Sequence, residues 1–277
     1  MIGECTVVRS SRRKKAARSR AHATGEKYTQ ALRSTRKVDH RGLAELVSRR
    51  VLSQDAADLL PKLVGTRSVV ISGPMGSGRS TLMRALIEHI DDGQVIGVAE
   101  SAPALITHAL LCDGSVSDAN HQRRNEDERD RRSTPGDILR ALSGRDLDLV
   151  VVGEISGPET EDLFDVMEGG PRALFTAHAT TPEGVITRLV TLTMEGPPHC
   201  TEDYSYPRIS KHIDVVVQLT KRPRHGCSDE RGSYVSEVAI VEPGEGDRPV
   251  LSRIYLGNPD GSGTMLDSPR TVDQLQA

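Results

Sequence analysis

"VVISGPMGSGRSTLMRAL", Val69 to Leu86, runs from an apolar stretch through a glycine-rich turn into a stretch with helical spacing. A turn that binds phosphate needs glycines so that successive N–H groups can curl around an anion. It also needs a helix N-terminus behind it, a cation for the terminal phosphates and a hydroxyl for a divalent metal. Gly73, Gly76, Ser77, Gly78, Ser80 and Thr81 meet these needs, and the stretch sits between a strand and a helix as it should. One residue departs from G-x-x-x-x-G-K-[ST]: Arg79 stands at the lysine position. Arginine keeps the charge, but its planar fork is wider than the compact ammonium. An ordinary strand-to-helix turn is the alternative reading of the glycines.

Working outward, strand-like and helix-like runs alternate on both sides of this loop. "GLAELVSRRVLSQDAADLLPKLV" places Leu43, Leu46, Val47, Leu52, Ala56, Leu59 and Leu60 at helical spacing ahead of it, with Ser53 as an N-cap. After it come "QVIGVAE", helical "DILRAL", "LDLVVVGE", helical "PETEDLFDVME", "RALFTAH" and helical "PEGVITRLVTL". That rhythm predicts βαβ units in an α/β fold with a mainly parallel, doubly wound sheet. The composition agrees: 36% hydrophobic with only 3% aromatic residues and no Trp implies a core of Val, Leu, Ile and Ala, which suits a sheet buried on both faces. "HIDVVVQLT" and "GSYVSEVAIVEP" read as a C-terminal β-hairpin, and "VLSRIYL" as one further strand.

The division expected is a basic N-terminal arm over 1–40, a helical lead-in over 41–67, the α/β domain over 68–249 and a C-terminal tail over 250–277. The net charge of −3 hides the arm, because Arg9 to Lys37 holds a single acidic residue, Glu26. Such an arm either contacts nucleic acid or anionic lipid, or is a solvated pair of short helices. Its near-lack of aromatics, Tyr28 apart, leaves no stacking platform for bases. The charged 121–132 segment reads as a surface loop, with regulatory docking as the alternative. Cys5, Cys112, Cys200 and Cys227 are scattered without a C-x-x-C pair, and read as four unrelated thiols rather than a disulfide framework or a four-cysteine zinc site. No run of about 18 apolar residues is present to span a bilayer. The N-terminus also lacks a signal peptide's apolar stretch, so a cytoplasmic location is expected.

Three strand ends carry groups suited to phosphoryl chemistry. Glu154 closes "LDLVVVGE", where a carboxylate stands beside a magnesium ion and its waters. Glu100 closes "QVIGVAE", where it can orient an attacking water. His178 in "LFTAHATTP" either senses the terminal phosphate, contacts a neighbouring subunit, or is a satisfied structural group.

In this order the motifs resemble the traffic ATPases of type II and type IV secretion, in particular the Tad pilus and conjugation branch. "ISGPMGSGRSTL", "VVVGEISGPETEDLFDVMEGG" and "LFTAHATTPEGVITRL" carry the resemblance, which covers about Arg41 to Val241. It implies a RecA-like P-loop NTPase core that binds ATP with Mg2+ and hydrolyses it. Gly73 to Thr81 would hold the phosphates, Ser80 and Glu154 would serve the metal, and Glu100, His178 and Arg188 would act in catalysis. It also implies a homo-oligomer such as a six-subunit ring, or a hetero-oligomer with a paralogous ATPase, working with an inner-membrane secretion component at the inner face of the cell membrane. Departures from the family pattern are Arg79, Ser156 in "GEISG", Ser101 and Ala104 in the acidic box, and "ALSG" at Ala141 to Gly144. Each removes or alters charge near the transferring phosphate, so slow hydrolysis is the expectation. A non-hydrolysing, nucleotide-responsive subunit and a DNA-binding P-loop regulator are the alternatives.

Overall fold

A computed structural model describes residues 6–9, 41–91, 93–99, 134–223 and 232–266. The basic arm beyond residue 9, Glu100, the 121–132 segment and three of the four cysteines lie outside these residues. The elements run β1 (Thr6–Arg9), α1 (Arg41–Ser48), α2 (Gln54–Thr66), β2 (Val69–Gly73), α3 (Arg79–Ile87), β3 (Val95–Ala99), α4 (Pro135–Leu142) and β4 (Leu149–Ile155). They continue with α5 (Glu159–Glu168), β5 (Arg172–His178), α6 (Pro182–Met194), α7 (Glu202–His212), β6 (Val215–Lys221), β7 (Ser233–Pro243), β8 (Pro249–Gly257) and β9 (Gly263–Met265).

The strands form one sheet in the order β1-β3-β4-β5-β2-β6-β7-β8-β9. Neighbours from β3 to β6 are parallel. Antiparallel partners extend both edges: β1 on β3, and β7, β8 and β9 successively beyond β6. This is the RecA-like, mainly parallel α/β arrangement read from the sequence, with β6 and β7 as the expected antiparallel pair.

Period-two alternation sorts each strand between two cores. Val69, Ile71, Ile96, Val98, Val151 and Val217 pack under α1, α2 and α3. Val70, Val150, Val152, Phe175 and Val216 face α4, α5, α6 and α7. Both faces are therefore covered, which explains why the strands are continuous apolar runs rather than alternating ones.

Caps fix where the helices start. Ser53 accepts from the Ala56 N–H at the head of α2, and its hydroxyl also accepts from the buried Tyr255 OH at 3.0 Å. Thr134 and Asp137 form a reciprocal capping box on α4, with Pro135 at the first position. Three elements went unread in the sequence. One is β1, only four residues long, and another is β9, only three. The third is α7, which carries Pro207 in its interior and few apolar residues, yet is capped by Thr201 and buries Ser205, Ile209 and His212.

Candidate phosphate-binding site

β2 lies in the middle of the parallel strands, between β5 and β6, so the loop that follows it opens at the carboxyl edge of the sheet. In open α/β sheets, ligands bind in the crevice outside that edge. Gly76 and Gly78 adopt left-handed φ values of 71° and 90°, which side chains with a Cβ resist. Gly73 is required for a different reason: a Cβ there would lie 2.5 Å from Ser77 Oγ and 2.9 Å from the Leu219 carbonyl.

The loop ends on α3, whose N-cap is Gly78. It offers no side-chain cap, and the first turn of α3 holds no acidic residue. The leading N–H groups of such a helix have no partner within it, and the dipole there favours an anion. Ser77 Oγ is buried and, among the described residues, has no hydrogen-bond partner. An uncapped helix start, two left-handed glycines and an orphaned hydroxyl together fit a bound phosphate, with the Ser80 hydroxyl next in line for a divalent metal.

Arg79 folds back into the loop rather than into solvent, its side chain 10% exposed. Its Nη1 donates to the Gly73 carbonyl and, at 3.2 Å, to the Pro74 carbonyl. Its Nη2 donates to Glu154 Oε1 at 2.6 Å, making an ion pair with a carboxylate that is half exposed. The guanidinium thus joins the loop backbone to the end of β4. Glu154 owes its placement to a register shift between Val152 and Ile155 where β4 pairs with β5. Such an irregularity turns a strand-end side chain out of the regular alternation. The Thr176 hydroxyl holds it there by donating to the Gly153 carbonyl at 2.7 Å.

His178 is the register partner of Gly73 across the β2–β5 pair, and it is exposed at the strand end, so the sheet itself delivers it to the loop. Arg188 on α6 donates to the Ser156 carbonyl at 3.3 Å, two residues past Glu154. The Glu159 carboxylate accepts the Ser156 and Gly157 N–H groups at 2.8 and 2.9 Å, closing that turn where the family pattern has an arginine. The structure therefore brings together Gly73 to Thr81, Glu154, His178 and Arg188 at one edge of the sheet.

Sequence reading missed Gln218. It is buried in β6, accepts from the Ser72 hydroxyl, and donates to the Leu219 carbonyl at 3.0 Å and the Ala179 carbonyl at 3.5 Å. It ties the end of β2 to the chain just after His178. The one signal was an amide in the middle of the apolar run "VVVQL".

Comparison with known proteins adds family context to this geometry. The family model described as "Type II/IV secretion system protein" matches residues 21–249. An uncharacterized protein of Methanocaldococcus jannaschii is 30% identical over 70% of this chain and 66% of its own length. The type IV secretion system protein VirB11 of Brucella abortus is 26% identical over 62% of this chain and 46% of its own. This chain therefore spans less than two thirds of the length of either relative. Among solved structures, the VirB11 ATPase of Brucella suis in complex with sulphate superposes with a TM-score of 0.53 at 22% identity. That match covers 72% of this chain and 56% of that one, a likeness in fold.

Proposed function

The chain belongs to the type II/IV secretion system protein family, and on that premise we propose that it binds ATP with Mg2+ in the loop after β2 and hydrolyses it slowly. The observation that carries the reading is the phosphate cradle: Gly76 and Gly78 left-handed, α3 uncapped, Ser77 Oγ orphaned, and Glu154 held across the mouth. In this reading Gly73 to Thr81 hold the phosphates, Ser80 and Glu154 serve the metal and its waters, and Glu100 orients the attacking water. His178 and Arg188 stand ready to meet charge that develops on the terminal phosphate. A oligomer built with further copies or with a paralogous ATPase, docked on an inner-membrane component, is the working assembly. The relatives' names, a type IV secretion system protein and a conjugal transfer protein, support a place in a secretion or conjugation apparatus.

A second reading has its own support. Because Arg79 is already committed to the loop carbonyls and to Glu154, this reading makes the chain a non-hydrolysing subunit that responds to nucleotide. One experiment separates the two: magnesium-dependent ATP turnover by purified protein beside Glu100→Gln. Turnover that the substitution removes supports the hydrolase. Nucleotide binding with no turnover in the wild type supports the responsive subunit, and absence of magnesium-dependent binding overturns both.

A further inference from the structure

A second cluster of reactive side chains lies where α6 turns into α7. The Cys200 N–H donates to the Pro197 carbonyl and the Thr201 N–H to the His199 carbonyl, both at 2.9 Å, so the turn sets His199 and Cys200 side by side. It rests against the first turn of α5. A Cβ on Gly196 would lie 3.7 Å from Cys200 Sγ and 4.0 Å from Glu161 Cβ. One potential ligand atom from each of Glu161, His199 and Cys200 falls within 4.8 Å of the other two.

Glu161 is the informative member. It is 7% exposed, and its two oxygens are treated differently. Oε1 accepts from the Tyr204 hydroxyl at 2.6 Å and lies 3.7 Å from Arg208 Nη1. Oε2 is buried and, among the described residues, accepts no hydrogen bond. A buried carboxylate oxygen left without a partner is costly, and native proteins rarely keep one idle.

The geometry points to a binding site for a borderline divalent cation, zinc foremost, on Glu161 Oε2, a His199 ring nitrogen and Cys200 Sγ. The donor set decides the class of ion. Thiolate and imidazole suit zinc, whereas magnesium and calcium call for oxygen ligands throughout. Three protein ligands leave a fourth position for water or an exogenous group. Ligand atoms around a tetrahedral zinc sit about 3.5 Å apart, so the cluster closes by a modest turn of the exposed His199 ring. That ring now rests edge-on against Tyr204, with centroids 5.3 Å apart. On binding, the Cys200 S–H bond breaks, an S–metal bond forms and the proton leaves to solvent. Arg208 opposes the incoming charge, while its own terminal nitrogens are engaged by Asp165 at 2.9 Å and by the Tyr204 oxygen at 2.9 Å.

The test of this site needs no nucleotide. The full chain is titrated with Co2+ and followed by absorption spectroscopy, then with Zn2+ against a chromophoric chelator. One equivalent of Co2+ should give a thiolate-to-metal charge-transfer band that Cys200→Ser abolishes. His199→Ala changes an exposed residue and should preserve the far-ultraviolet dichroism while weakening zinc by at least about tenfold. A wild type without the thiolate band overturns the proposal. So does a band that survives in Cys200→Ser, which would assign it to another cysteine, or an undiminished zinc affinity in His199→Ala.

Discussion

Glu154→Gln should tighten nucleotide binding when magnesium is withheld and blunt the benefit of magnesium when it is supplied. The carboxylate accepts from Arg79 Nη2 at 2.6 Å, and an incoming phosphate competes for that guanidinium. Glutamine still offers an oxygen to Arg79, so the loop keeps its shape and only the charge is removed. Glu154 is half exposed, which places the pair in the solvent-screened regime of about 0.2–1 kcal/mol. Loss of the full pair is worth up to about fivefold in Kd, and relief of carboxylate–phosphate repulsion acts in the same direction. The assay is titration of a fluorescent ATP analogue in EDTA and again in magnesium, each at low and raised salt. The expected result is tighter binding by the variant in EDTA, a gain that shrinks with salt, together with a smaller magnesium effect than in wild type. Equal or weaker binding by the variant in EDTA would refute the view that Arg79 is held internally against the nucleotide.

Two further substitutions probe the scaffold. Gly73→Ala drives a methyl against Ser77 Oγ and the unyielding Leu219 carbonyl. Overpacking of this kind costs about 1–3 kcal/mol, which differential scanning calorimetry should register as a fall in Tm of roughly 3–8 °C; an unchanged Tm would contradict the close approach. Glu168→Gln tests acid lability: the Lys211 ammonium at 2.5 Å, then His212 at 3.0 Å, hold the Glu168 carboxyl down at about 2, while burial pushes His212 below its ordinary value. A depressed carboxylate stabilises the fold above its unfolded pKa, and that stability drains away as pH falls from about 4.5 towards about 2. A histidine held neutral adds to the loss as pH drops below 6.5, because the unfolded chain then binds the proton more readily. Urea denaturation should find Glu168→Gln weaker than wild type near neutral pH and converging with it in acid, and a gap that persists undiminished in acid would sink the assignment.

Much of this architecture was legible because its signals are local. Runs such as "LDLVVVGE" and "RALFTAH" are apolar throughout since both faces of the sheet are covered, and the neighbouring helices α4 and α6 carry ordinary caps. Two of the elements that escaped reading depend on partners distant in sequence. β1 is four residues that become a strand only by pairing with β3, 86 or more positions away in register. α7 is polar in sequence, and its order comes from Tyr204, Arg208, Lys211 and His212 meeting Glu161, Asp165 and Glu168 on α5. The same contrast holds at the site. The glycines announced the loop, but nothing local announced that Gln218 would brace it or that Glu161 would face His199 and Cys200 across the α6–α7 turn.

Arg79 is where sequence and structure inform each other most. On sequence grounds it is a charge-conserving departure from the lysine of a phosphate-binding loop. In the fold its two terminal nitrogens do different jobs, Nη1 serving the loop carbonyls of Gly73 and Pro74 and Nη2 serving Glu154. A planar fork can hold two diverging acceptors at fixed angles, whereas a lysine ammonium is one compact centre on a flexible stem. Lysine at this position would therefore be free to leave for a phosphate without first dismantling a two-sided clasp. In the proposed reading, the arginine would couple release of Glu154, taken there to serve the metal, to the arrival of an anion in the loop. That coupling would give the departure a physical role: a cradle held in shape by Arg79 that opens when phosphate charge outcompetes Glu154.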